Sequence, residues 1–157
     1  MEAPGVSTST RHYREPSWLT KHVFNNAVAG LTLIGVSVLG SRVLEVNGRK
    51  TGTPHRTPVN LLKVGKDSYL VAARGETQWV RNVRAADGRL QLLLGRRRTH
   101  HRAVELSDAA KIPILRAYLR RWKAEVGVFF DGVGPDSPDQ EIAAVAGQHP
   151  VFHLIDR

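Results

Sequence analysis

Cysteine is absent from the 157 residues. That removes disulfides, thiol nucleophiles, and cysteine-based zinc or iron–sulfur sites. Acidic residues are scarce beside basic ones, 14 Asp and Glu against 23 Lys and Arg, for a formal charge of +9. Such a balance draws anionic partners: nucleic acid, an acidic membrane surface or a polyanionic small molecule. The chain carries no recognisable DNA-binding motif and no aromatic ribonucleoprotein signature, so nucleic acid is not the expected partner. A long apolar run is missing as well. The most apolar stretch, residues 27–40, holds 14 residues, against the roughly 20 that a spanning helix needs. Arg11, Arg14 and Lys21 precede it as the basic end of a signal peptide would. The cleavage pattern is poor and the leader would be unusually long, so a cytoplasmic chain is expected. Peripheral contact at the inner face of an acidic membrane is compatible with the charge. No GxSxG elbow, Ser-His-Asp order or paired-carboxylate signature occurs.

What is present fits one domain with its own core. Residues 1–16 read as a flexible arm, and 17–157 as a single domain that includes an N-terminal helix. The spacing of Trp18, Val23, Phe24, Ala27, Leu31 and Ile34 predicts a helix from Ser17 to about Ile34, with Gly35 as its stop. Strands are expected over 41–46, 56–65 and 68–74, with Asn47-Gly48 as a hairpin signal. Thr77 caps a short helix over 78–86. Strands follow at 89–95 and 99–106, joined by the arginine-rich tip at 95–98.

Ile112, Leu115, Leu119, Trp122 and Val126 form one apolar helical stripe, with Pro113 in the first turn. Ser137-Pro138-Asp139-Gln140 reads as a capping box for a helix that ends at Gly147. A final strand covers 150–155. Six short strands without a strand–helix repeat predict an α+β, mainly β chain: a small six-stranded barrel with flanking helices.

The segment "GRKTGTPHRTP", residues 48–58, concentrates the candidate chemistry. It is not a P-loop, because Arg49 and Leu44 stand where that motif needs glycines. It remains a suitable anion cradle. Gly48 and Gly52 permit close backbone approach. Arg49 and Arg56 offer planar forks, Lys50 a point charge, and Thr51 and Thr57 hydroxyls. A solvated basic hairpin is the alternative. His100 and His101 are strand neighbours pointing to opposite faces. His149 and His153 could share a face, but no third ligand accompanies them, so no metal site is expected.

"GRKTGTPHRTPVNLL", "YLVAARGETQWVRNVRAA" and "HPVFHL" together resemble the deazaflavin-dependent nitroreductase family, actinobacterial split-barrel proteins that bind coenzyme F420. The resemblance spans about residues 20–155. It implies a six-stranded split β-barrel related to FMN-binding proteins. It also implies a cofactor with a phosphodiester and a tail of glutamates, which is a polyanion. Arg49, Lys50, Thr51, Arg56 and Thr57 fall where the family grips phosphate and tail. Pro58, Val59 and Asn60 would line the ring edge. Ala73, Arg74, Gly75 and Thr77 match the loop around the ring, and Trp79 and Asn82 match motif positions on the helix beside it.

The implied activity is F420H2-dependent hydride transfer to a small, fairly apolar acceptor such as a quinone or nitro compound, by a monomer or homodimer. Two alternatives share the barrel: a non-catalytic F420- or lipid-binding protein, and an FMN-binding oxidoreductase. Two departures bear on the acceptor and the cofactor. Phe129 and Phe130 stand in a C-terminal segment where nitroreductase members carry tyrosines. The ring loop reads "ARGET" in place of Lys-Gly-Gly. Tyr118 is a candidate proton donor whose place the sequence leaves open.

Overall fold

The computed structural model describes residues 40–156. The expected arm and N-terminal helix lie outside the described residues. Six strands close into an antiparallel barrel: β1 (Ser41–Asn47), β2 (Pro54–Val64), β3 (Asp67–Val71), β4 (Arg89–Leu94), β5 (Arg97–Glu105) and β6 (Val151–Asp156). Their spatial order is β1-β2-β3-β6-β5-β4, with β4 returning to β1. The first three strands are a meander, β4 and β5 a hairpin, and β6 slots between β3 and β5.

Strand alternation builds two cores on the two faces of the sheet. Leu44, Val46, Leu61, Leu70, Leu90, Leu92, Phe152 and Leu154 fill the barrel interior. Helix α1 (Gln78–Ala85) joins that interior through Val80 and Val83, both fully buried. On the outer face, Leu62, Val71 and Val151 pack against helix α2 (Asp108–Val126) and helix α3 (Asp139–Ala146). Leu115, Leu119, Trp122 and Val126 of the expected stripe are in this second core, with Ile114 and Tyr118 beside them. Each such side chain taken out of water contributes about 1.5–3 kcal/mol before entropy is counted.

Several local expectations need correction. Helix α2 begins at Asp108, so Pro113 sits inside the helix and not in its first turn. The start is set by Ser107, whose Oγ accepts from Ala110 N at 3.4 Å. Helix α3 begins at Asp139 without a side-chain cap. Ser137 is turned the other way: its Oγ accepts from Gly134 N at 2.9 Å, and Arg116 takes the Ser137 carbonyl at 2.8 Å. Thr77 does stand at the N-cap of α1, but its side chain makes no capping bond. Strand β3 stops at Val71, three residues short of the expected end. The freed chain, residues 72–77, becomes the loop that leads into α1.

The two candidate histidines are apart in role. His149 is fully buried and stacks on Phe130 with ring centroids 4.0 Å apart. His153 pairs with Asp67 at 3.1 Å and stacks on Tyr69 at 5.0 Å. No helix among the described residues is long and apolar enough to cross a membrane.

Candidate active site

The basic segment is a tight turn followed directly by strand. Pro54 already belongs to β2, so only residues 48–53 form the turn. Gly48 N donates to Thr53 O at 2.8 Å, and Gly52 N to Gly48 O at 2.9 Å. Thr51 Oγ1 accepts from Thr53 N at 3.2 Å. Gly52 adopts φ +74, a conformation that favours glycine. The His55 ring lies so close over Gly48 that a Cβ there would approach it to 2.7 Å.

One side chain fastens this turn to the barrel. Asn82 on α1 is only 5% exposed. Its Oδ1 accepts from Arg49 N at 3.1 Å and from Arg49 Nη1 at 2.9 Å. A carbonyl oxygen has two lone pairs, and both are used. Trp79, three residues earlier, shares the helix face and tilts against Phe152 with ring centroids 5.8 Å apart. The two motif positions thus act together: Trp79 seats the helix on the barrel interior, and Asn82 fixes the arginine.

Between turn and helix lies a cleft of about 420 Å³. Arg49, Lys50, Thr51, Arg56 and Thr57 line one side of it, and Trp79 and Asn82 the other. Leu44 and Val46 make an apolar floor, and His55 and Gln78 complete the wall. His55 and Gln78 are not among the site residues expected from the sequence. Gln78 carried a signal in standing beside Trp79, and His55 in lying within the basic segment.

The cations are not equivalent. Arg56 is committed to Glu45, Nε to Oε2 at 2.8 Å, and Arg98 takes the other oxygen of the same carboxylate at 2.8 Å. Hydrogen bonding from Arg56, with Arg98 adding to it, holds the Glu45 carboxyl below its usual range despite the opposing effect of burial. Arg49 meets a neutral partner, and Lys50 has no ion pair among the described residues. The charge available to an anionic ligand therefore resides in Arg49 and Lys50 first.

The structure does not bring the remaining candidates into this cleft. Val59 packs on the barrel core. Asn60 bonds Tyr118, and Pro58 is its half-buried neighbour on β2. Ala73 packs against the outer core. Arg74 is close enough to Tyr118 to influence its ionisation. Gly75 is buried with φ +92. Thr77 Oγ1 is buried and has no hydrogen-bond partner among the described residues. This loop runs straight into Gln78 and Trp79 at the cleft wall, and it delivers the uncapped N-terminus of α1 there.

Tyr118 is 3% exposed, between Trp122 and Phe130. Burial pushes its phenol far above the ordinary tyrosine range. Phe130 is fully buried against His149 and belongs to the outer core.

The F420H(2)-dependent quinone reductase family matches residues 13–134, and the chain belongs to that family. It is accordingly an F420H2-dependent oxidoreductase. No curated protein sequence matches. Among solved structures, an F420-H2 dependent reductase, FDR-A, is similar with a TM-score of 0.54 at 16% identity, covering 74% of this chain and 94% of its own. A domain-swapped dimer is similar with a TM-score of 0.54 at 16% identity, covering 88% of this chain and 97% of that one. A conserved hypothetical protein from Mycobacterium tuberculosis has a TM-score of 0.50 at 17% identity, covering 74% and 72%. At these identities the likeness shows a common fold.

Proposed function

We propose that F420 binds in the cleft between the 48–53 turn and α1, and that the acceptor is a small, fairly apolar quinone. The observation that carries this reading is the meeting of Arg49 and Lys50 with Trp79 on one apolar-floored cleft. The residues fit the group. F420 is a polyanion with a flat ring, and the cleft pairs uncommitted cations with an aromatic wall.

When bound, F420H2 supplies a hydride from its ring carbon C5. The chain contributes position and charge. Arg49 and Lys50 hold the phosphodiester, with Thr51 and Thr57 as hydroxyl donors. Asn82 keeps the Arg49 guanidinium aimed. The backbone N–H groups at the uncapped N-terminus of α1 would favour an anionic group of the bound cofactor. Leu44, Val46 and Trp79 exclude water and favour an apolar acceptor over a charged one. Tyr118 does not deliver the product's proton: it is buried, bonded to Asn60, and holds its own proton tightly. The proton comes from solvent.

The test is stopped-flow oxidation of F420H2 against an acceptor panel, followed by the return of the oxidised-ring absorbance. Apolar quinones are expected to be reduced with kcat/KM at least about tenfold above that for charged acceptors of similar potential, one pocket contact's worth of discrimination. Equal rates for both, or oxidation by charged acceptors alone, contradicts the acceptor assignment.

A further inference from the structure

Strand alternation turns Val43 and Leu93 to the outer face of the sheet, because Leu44 and Leu92 beside them fill the barrel interior. The two are direct cross-strand partners. Both are buried, at 3% and 5% exposure, yet neither belongs to the interior core or to the outer core under α2 and α3. Strand pairing alone does not bury an outward side chain so far. Val104 and Ile155 stand on the same outer face, in β5 and β6, and are 43% and 48% exposed. A further layer therefore lies over β1 and β4, and neither outer helix shares a core with it.

The row that this layer covers is short. It runs from half-buried Pro58 on β2 through Val43 and Leu93 to Arg98 on β5. Four strands at about 4.8 Å spacing make it about 14 Å wide. Strands β1 and β4 pair there over Val43–Glu45 and Gln91–Leu93. Beyond that, towards Asn47 and Arg89, the two strands part.

The chain itself supplies an occupant of the right size in the right place. Residues 1–39 precede Gly40. Gly40 O accepts from Leu61 N at 2.8 Å, and a Cβ at Gly40 would meet the Trp122 ring at 3.3 Å. The preceding segment thus reaches β1 beside the C-terminal half of α2. The helix expected over 17–34 would be about 27 Å long, more than the row needs. Residues 35–39 can span about 17 Å, enough to turn that helix back across β1 and β4.

We propose that residues 17–34 lie over the outer face of β1 and β4, with their apolar stripe against Val43 and Leu93, and complete a third core alongside α2. The stripe then belongs to the inside of the molecule. A helix on a membrane surface would turn the same stripe to lipid and leave Val43 and Leu93 open to water. The segment is a part of the folded domain, and its apolar residues anchor nothing outside it.

The absence of cysteine makes thiol labelling of the full chain clean. Val43→Cys, a change of similar volume, is compared with Val104→Cys by the rate of maleimide labelling under native conditions without lipid. Val43→Cys should react at least about a hundredfold more slowly. Adding Phe24→Asp and Leu31→Asp should raise its rate at least about tenfold, with the circular dichroism of the barrel retained and Val104→Cys unaffected. Should the acidic variant not fold, Phe24→Cys, Ala27→Cys or Leu31→Cys added in turn to Val43→Cys gives the answer by oxidation. At least one of the three pairs should form a disulfide within the monomer, and none doing so overturns the proposal. Fast labelling of Val43→Cys in the otherwise unaltered chain, or slow labelling indifferent to the acidic pair, also overturns it. So does protection that appears only at high protein concentration, which assigns the face to a second copy, or only with anionic vesicles, which assigns it to a membrane surface.

Discussion

Asn82→Leu is expected to weaken F420 binding by at least about tenfold and to destabilise the fold by about 2–3 kcal/mol. The substitution keeps roughly the same volume but deletes the acceptor of two Arg49 donors. One of those donors is the Arg49 backbone N–H, and the acceptor that both share is only 5% exposed. The turn then loses its anchor on α1, and the Arg49 guanidinium loses its aim. Asn82→Asp separates the two effects. A carboxylate still accepts both bonds, so stability should be nearly kept, but it neutralises Arg49 and should still impair binding of an anionic cofactor. Urea unfolding and fluorescence titration of both variants check this. Wild-type affinity in a folded Asn82→Leu protein would mean that the turn needs no anchor.

Gly88→Ala should cost at least about 3 kcal/mol, a large fraction of a domain's stability. Gly88 follows α1 with φ +81, and its N–H donates to Val83 O at 2.9 Å, closing the helix. A Cβ at this position would lie 2.3 Å from Ala103 O and 3.1 Å from Ala103 N. Both atoms are backbone of β5, and Ala103 N already donates to Gly88 O at 2.8 Å. No side-chain rotation relieves such a contact, so the strand or the helix end must move. Because α1 carries Trp79 and Asn82, cofactor affinity should fall in parallel with stability. Thermal and urea unfolding give the magnitude. A loss below about 1 kcal/mol would show that the α1–β4 connection yields easily.

Much of the barrel was legible because its strands are short, alternating and bounded by turn residues. Asn47-Gly48, Gly65-Lys66 and Asp87-Gly88 all mark real chain reversals. Elements that depend on competition between local signals were harder to read. Pro113 suggested a helix start, but the Ser107 cap and the apolar run behind it carried the helix through the proline. Ser137 matched a capping pattern, yet its hydroxyl satisfied the preceding turn instead.

The site was legible in part for a similar reason. Its cations, Trp79 and Asn82 lie in two compact motifs that the barrel brings together. What sequence could not show is who is already engaged. Arg49 and Arg56 look alike in the segment, but β1 places Glu45 directly opposite Arg56 and leaves Arg49 with an amide. Likewise Asn60 sits one residue from Val59, and strand alternation sends it to Tyr118 rather than to the barrel interior. The parting of β1 from β4 is a property of register, and no short motif encodes it.

The most direct test of the central claim is a parallel titration of tryptophan fluorescence with F420 and with FMN. It uses the wild type, Arg49→Ala/Lys50→Ala, and Arg56→Ala. Trp79 lines the cleft, whereas Trp122 is buried in the outer core and serves as a constant background. The expected result is saturable quenching by F420 in preference to FMN, weakened by about tenfold or more in the double variant. Arg56→Ala, whose arginine already answers Glu45, should change it much less. Quenching by F420 that is indifferent to Arg49 and Lys50, or absent altogether, would contradict the placement of the cofactor in this cleft.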